Sequence, residues 1–205
     1  DNAGDTFIIG AMALNEEELW SGTGQGIGKL IRGEEGMVFH VVSNISGNRD
    51  PQQIIENMIF DDNGKLWVST EEGLYRYNPS GGSFALLIES LDVSNSLAIN
   101  TAKSLFTDSH GTLWFGTHGS GLYRINPLNN QVINYRNNPA DPRSLSENAI
   151  NCIYEDRSGI IWIGTFGAGI SILDPQANKF ELLCHNPLNP ESLSSNFIWS
   201  VFEAA

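Results

Sequence analysis

Residues 156–175 read DRSGIIWIGTFGAGISILDP, and residues 108–127 read DSHGTLWFGTHGSGLYRINP. Laid over one another, the two stretches share an aspartate (Asp156, Asp108) and a glycine three residues later (Gly159, Gly111). A tryptophan follows three residues on (Trp162, Trp114), then Gly-Thr, then Gly-Ile or Gly-Leu. Residues 61–79, DDNGKLWVSTEEGLYRYNP, carry the pattern a third time, and Trp20-Ser-Gly-Thr23 carries its centre a fourth time. The tryptophans Trp20, Trp67, Trp114 and Trp162 are spaced by 47, 47 and 48 residues. Matched columns at one fixed period mean a repeat architecture.

Within a module the apolar runs are about six residues long and are bounded by turn chemistry. In the last complete module they are AINCIYE, IIWIGT, GISILD and KFELLC, separated by Asp-Arg-Ser-Gly, Phe-Gly-Ala-Gly and Pro-Gln-Ala-Asn. Four short antiparallel strands per period predict an all-β chain, a β-propeller of four-stranded blades. Helical i, i+3, i+4 spacing is absent. The expected blades are 7–53, 54–100, 101–148 and 149–196, with 197–202 as the first strand of a further blade. Strands are lettered A to D from the propeller axis outward. Gly10, Asn57, Ser104, Cys152 and Ser200 are read as one column of small residues on strand A, so Cys152 reads as a packing residue. The tryptophans sit on strand B and read as anchors packed between blades.

The composition narrows the partners. With 11 basic and 24 acidic residues the formal charge is −13, which repels phosphate backbones and anionic lipid. No apolar run reaches the ~18 residues of a membrane helix. Neither nucleic acid nor membrane contact by this segment is expected. Two cysteines, Cys152 and Cys184, are too few for a disulfide scaffold. The glycine-rich run GTGQGIGK at 22–29 fails both the Walker and the dinucleotide spacings and reads as a loop between strands B and C. The histidines have no metal-ligand spacing and no nucleophile is tied to a base, so no metal, cofactor or catalytic set is expected.

The pattern Asp-x-x-Gly-x-(Leu/Ile)-Trp-x-Gly-Thr-x-x-x-Gly-(Leu/Ile) resembles the two-component regulator propeller repeat. So does the linking segment NPADPRSL at 138–145, with its copy NPLNPESL at 187–194. The resemblance implies the extracytoplasmic sensor region of a bacterial receptor, on the periplasmic or outer face of the inner membrane. Its output would be a histidine kinase or a diguanylate cyclase. Family members carry more blades than four, so the chain, which opens on Asp1 and shows no signal peptide, reads as a piece of a longer sensor. Module one departs from the pattern at Glu17, which stands where the turn glycine belongs.

Loops on a rigid repeat carry function. The B–C tips vary while their frames recur: Gly24-Gln25, Glu71-Glu72, His118-Gly-Ser120, Phe166-Gly-Ala168. The expected ligand contacts are Glu71, His118 and Phe166, with Arg143 from a D–A loop, and they suit a polar small molecule or glycan fragment. The alternative is a non-catalytic dimerisation scaffold. An unfinished blade at 197–202 would expose apolar residues, so a homodimer is expected.

Overall fold

The computed structural model describes residues 9–15, 18–23, 26–33, 36–43, 55–70, 73–86, 102–177 and 179–203. They form four four-stranded antiparallel sheets, each in sequential order. The first holds β1 (Ile9–Asn15), β2 (Glu18–Thr23), β3 (Gly26–Gly33) and β4 (Gly36–Ser43). The second holds β5 (Ile55–Phe60), β6 (Leu66–Thr70), β7 (Gly73–Asn78) and β8 (Ser83–Leu86). The third holds β9 (Ala102–Thr107), β10 (Leu113–Thr117), β11 (Leu122–Asn126) and β12 (Gln131–Tyr135). The fourth holds β13 (Ile150–Glu155), β14 (Ile161–Thr165), β15 (Ile170–Asp174) and β16 (Lys179–Leu183). These are blades of the β-propeller type. The chain divides into two compact units, Asp1–Ser96 and Leu97–Ala205, of two sheets each.

The repeated aspartate explains why each module folds alike. Asp108 uses Oδ1 to accept the backbone N–H of His110 (3.0 Å) and Thr112 (2.8 Å), closing the A–B turn. Its Oδ2 accepts the indole N–H of Trp114 at 2.7 Å. Asp61 and Asp156 make the same three bonds, to Asn63, Lys65 and Trp67, and to Ser158, Ile160 and Trp162. One carboxylate thus caps a turn and satisfies a tryptophan donor that burial removes from water. The turn glycines Gly64, Gly111 and Gly159 have φ of 69°, 74° and 81°, a region a side chain disfavours.

In the first unit β5 lies against β1 and β2; in the second β13 lies against β9 and β10. The glycine of the Trp-x-Gly-Thr motif makes these approaches. A Cβ on Gly22 would stand 2.6 Å from Ile55 Cγ2, and one on Gly116 would strike Ile150. Strands β6 and β10 are buried along their whole length. In the second unit, Trp114, Ile150, Ile161 and Ile163 form the core with Leu145, which the Asn-Pro loop delivers.

Three readings of the sequence need correction. Ala11, not Gly10, pairs with Gly22 as Asn57 pairs with Ser69 and Cys152 with Gly164. Seven positions separate Ala13 from its partner Trp20, against eight from Ile59 to Trp67, so the first A–B connection is one residue shorter. Residues 16–17 lie outside the described residues, and Glu18 replaces the turn aspartate in accepting the Trp20 indole at 3.2 Å. Second, the run at 22–29 is mostly not loop. Gly22 and Thr23 belong to β2 and Gly26–Lys29 to β3, where Gly28 leaves room for the Phe39 ring.

Third, residues 197–202 form no strand. They nevertheless occupy the place of a strand A. Ile198 abuts Gly164 as Ile150 abuts Gly116. The Ile198 N–H donates to Thr165 O at 3.1 Å, and the Asn151 side-chain amide donates to Ile198 O at 3.0 Å. Glu203 accepts from the Arg157 N–H as Glu155 accepts from the Ser109 N–H. Among the described residues no strand B pairs with this segment, and Phe202 is 81% exposed.

Candidate functional site

Antiparallel order sends the B–C loop and the D–A loop out of the same end of a blade. In the second unit this end is knit tightly. Gly119 and Gly121 donate to Asn148 O, Phe166 N–H donates to Ala149 O, and Gly169 N–H donates to Asn196 O. The Asn148 and Asn196 side chains then accept the N–H of Asn137 and His185 at 2.8 and 2.6 Å. The two Asn-Pro segments fold identically: Ser144 and Ser192 each bridge back to Asn138 and Asn186. The loops are therefore held by their own backbone and by asparagine and serine side chains of the D–A segments, and the tip side chains His118 and Phe166 are not among these bonds.

Those tips form a row of rings. The His118 and Phe166 ring centroids lie 5.4 Å apart at 67°, and Phe166 meets Phe197 at 5.1 Å and 77°. His118 is exposed, Phe166 is 39% exposed and Phe197 51%. Each comes from a successive module, which is how a repeat builds a contiguous rim. Glu147 adds an oriented carboxylate: its Oε2 accepts the Gly167 N–H at 2.7 Å. Thr117 and Thr165 fix the hairpins beneath, each accepting a loop N–H and donating its hydroxyl to a glycine carbonyl. The site offers exposed ring faces and edges beside one oriented carboxylate.

A family model for the two-component regulator propeller matches residues 96–119 and 144–167. These two segments carry the two-component regulator propeller repeat. Among solved structures it is similar to one named as the extracellular domain of the hybrid two-component system BT4673 from Bacteroides thetaiotaomicron. The TM-score is 0.71 and the identity 24%, over 94% of this chain and 24% of that one. The extracellular domain of a second such system, BT3049, is similar with a TM-score of 0.60 and 28% identity, over 70% of this chain and 20% of that one. The propeller chain thus spans about a quarter or less of these structures' length. Virginiamycin B lyase from Staphylococcus aureus shares the fold alone, with a TM-score of 0.61 at 11% identity over 90% of this chain and 57% of that one. No curated protein matches the chain.

Of the residues picked from the propeller repeats, His118 and Phe166 are brought together. Arg143 is not placed with them. It pairs with Asp141, Nε to Oδ1 at 3.4 Å, and its carbonyl accepts from Phe180 on the outermost strand. Asp141 is held below the ordinary aspartate range, first by the Arg143 backbone N–H. Glu71 lies outside the described residues. The sequence reading missed Phe197 and Glu147. A signal was present, since Phe197 stands where the preceding repeat has Ala149, and blade packing had managed without an aromatic there.

Proposed function

We propose that the chain is part of an extracytoplasmic, ligand-sensing propeller of a bacterial two-component receptor, and that it acts by binding and not by catalysis. The ligand is a polar small molecule or glycan fragment, taken on the loop rim of the second unit. The row His118–Phe166–Phe197 carries this reading. Exposed rings that no blade packing requires are suited to the C–H faces of a polar ring, and Glu147 is suited to its hydroxyls. Its likeness to two receptor extracellular domains supports the cellular setting. Glycan-array binding followed by calorimetry tests it: His118→Ala and Phe166→Ala should each weaken the captured ligand, and unchanged affinity in both rejects this rim.

The second reading, an interaction scaffold, is favoured by one observation. Trp199 and Phe202 are 76% and 81% exposed close in sequence to Phe197, a grouping of exposed aromatic rings that suits an interaction surface. A ligand-independent dimer would support it.

A further inference from the structure

A–B and C–D turns leave a blade at the end opposite to the B–C loops. There, between the third and fourth sheets, lies a cleft of about 380 Å³, within the size range of small-molecule sites. Arg124 of β11 lines it. The guanidinium lies over the Trp114 ring with its carbon 5.5 Å from the centroid. It is half-buried, yet it makes no ion pair or hydrogen bond with the described residues. A guanidinium carries five N–H donors in a fork that fits a carboxylate, so this one is unspent.

Across the cleft the carboxylates are already oriented. Glu155 accepts the Ser109 N–H at 2.7 Å and the Ser109 hydroxyl at 2.8 Å. Asp174 accepts the Gln176 N–H at 2.8 Å and the Ala177 N–H at 3.3 Å through Oδ1, and among the described residues nothing bonds Oδ2. Asp108 is spent on its turn and on Trp114. A simple anion would meet Arg124 but also these acids; a simple cation would meet the acids but also Arg124. A molecule with both charges on one carbon satisfies both sides.

We propose that this cleft is a binding site for a free α-amino acid, its carboxylate on Arg124 and its ammonium between Glu155 and Asp174. Ile160 and Pro175 wall the remaining space for a side chain. The volume corresponds to about a dozen water-sized groups, enough for an ordinary amino acid. The site is separate from the aromatic rim, and nothing in it depends on what the rim binds.

Calorimetry on the 205-residue chain tests this with L-leucine and L-glutamine. Two truncated probes accompany them: 4-methylpentanoate, which lacks the ammonium, and 3-methylbutylamine, which lacks the carboxylate. Binding of an amino acid with each truncated probe about tenfold weaker or worse supports the proposal. Arg124→Gln should cost a similar factor, and Leu188→Ser, at an exposed position that does not line the cleft, should leave the affinity unchanged. Should Arg124→Gln unfold the sheet, Arg124→Lys keeps a cation over Trp114 but loses the fork, and Glu155→Gln removes the opposing charge; both should weaken binding. Silence with both amino acids, or equal binding of a truncated probe, overturns the proposal.

Discussion

Asp108 accepts the indole N–H of Trp114 at 2.7 Å while its other oxygen closes the preceding turn. Both residues are buried. Replacing the aspartate with alanine strands an indole donor in the core and two backbone donors in the turn. An unsatisfied buried group costs roughly 1–3 kcal/mol, so Asp108→Ala should lower unfolding stability by about 3 kcal/mol in denaturant titration. Asp108→Asn should also destabilise, because one amide cannot accept at both positions.

The fourth sheet's copy of this bond has a pH signature. Burial works to raise the Asp156 carboxyl, but the N–H groups of Trp162, Ile160 and Ser158 outweigh it and hold the group below the ordinary aspartate range. A lowered folded value means the stabilisation is complete above the unfolded value, about 3.9, and is lost as pH falls below it. Melting temperature should therefore drop from pH 5 to pH 3. The drop should be shallower in Asp156→Asn, which has no carboxylate to protonate there. Equal slopes in the two proteins would contradict the assignment.

Gly116 and Gly164 face Ile150 and Ile198 at equivalent joints, and a methyl at either would collide. The strand-A neighbour is crowded at both, Ser104 Oγ at 2.7 Å from the added carbon of Gly116 and Cys152 Sγ at 2.5 Å from that of Gly164; the joints differ in the isoleucine, Ile198 Cγ2 lying 2.7 Å from the Gly164 carbon. Ile150 is buried inside the core, whereas Ile198 is half-buried in an irregular segment that can move aside. Gly116→Ala should accordingly cost about 2–3 kcal/mol, within the usual range for overpacking. Gly164→Ala should cost less. Chemical denaturation of both variants checks the order, which is the informative quantity.

The turn aspartates and strand-B tryptophans were legible because each module writes the same contact again, and a contact seen three times is hard to misplace. The column of small residues on strand A was legible only to within one residue: Gly10 and Ala11 both satisfy smallness, and the shorter first turn decides for Ala11. His118 and Phe166 could be named because they stand where recurrent frames hold variable tips. Their contact could not, since it depends on how far β13 approaches β10. Arg143 looked available in the sequence; Asp141, two residues away, uses it. Arg124 was invisible for the opposite reason. Arginine at the matching position of β7, Arg76, also stacks on its tryptophan, Trp67, so the residue reads as ordinary packing until the cleft beside it is seen.

The two thiols should differ in reactivity. Cys184 is exposed, whereas Cys152 is half-buried on β13. Burial pushes the Cys152 thiol up, and backbone N–H groups of Gly164 and Val201 only partly offset it. Since the thiolate is the nucleophile, an aromatic disulfide reagent at neutral pH should label Cys184 first and Cys152 more slowly. If Cys152 reacts as fast as Cys184 in the full chain, the packing around Gly164 is not as described.

Phe197, Trp199 and Phe202 bring three aromatic rings to the surface within six positions, at 51%, 76% and 81% exposure. Burying one such side chain removes 150–250 Å² or so from water, at roughly 25 cal/mol per Å². Trp199 stands where the preceding repeat has Asn151 and Phe202 where it has Tyr154, so neither is compelled by the joint to Gly164 that Ile198 makes. The chain is expected to self-associate through this segment. Sedimentation velocity should show a concentration-dependent mass above that of the monomer. The double variant Trp199→Ser, Phe202→Ser should shift the chain to monomer while keeping its melting temperature at low concentration. A wild-type chain that stays monomeric as its concentration is raised would sink the idea, and so would a double variant that associates as strongly as wild type.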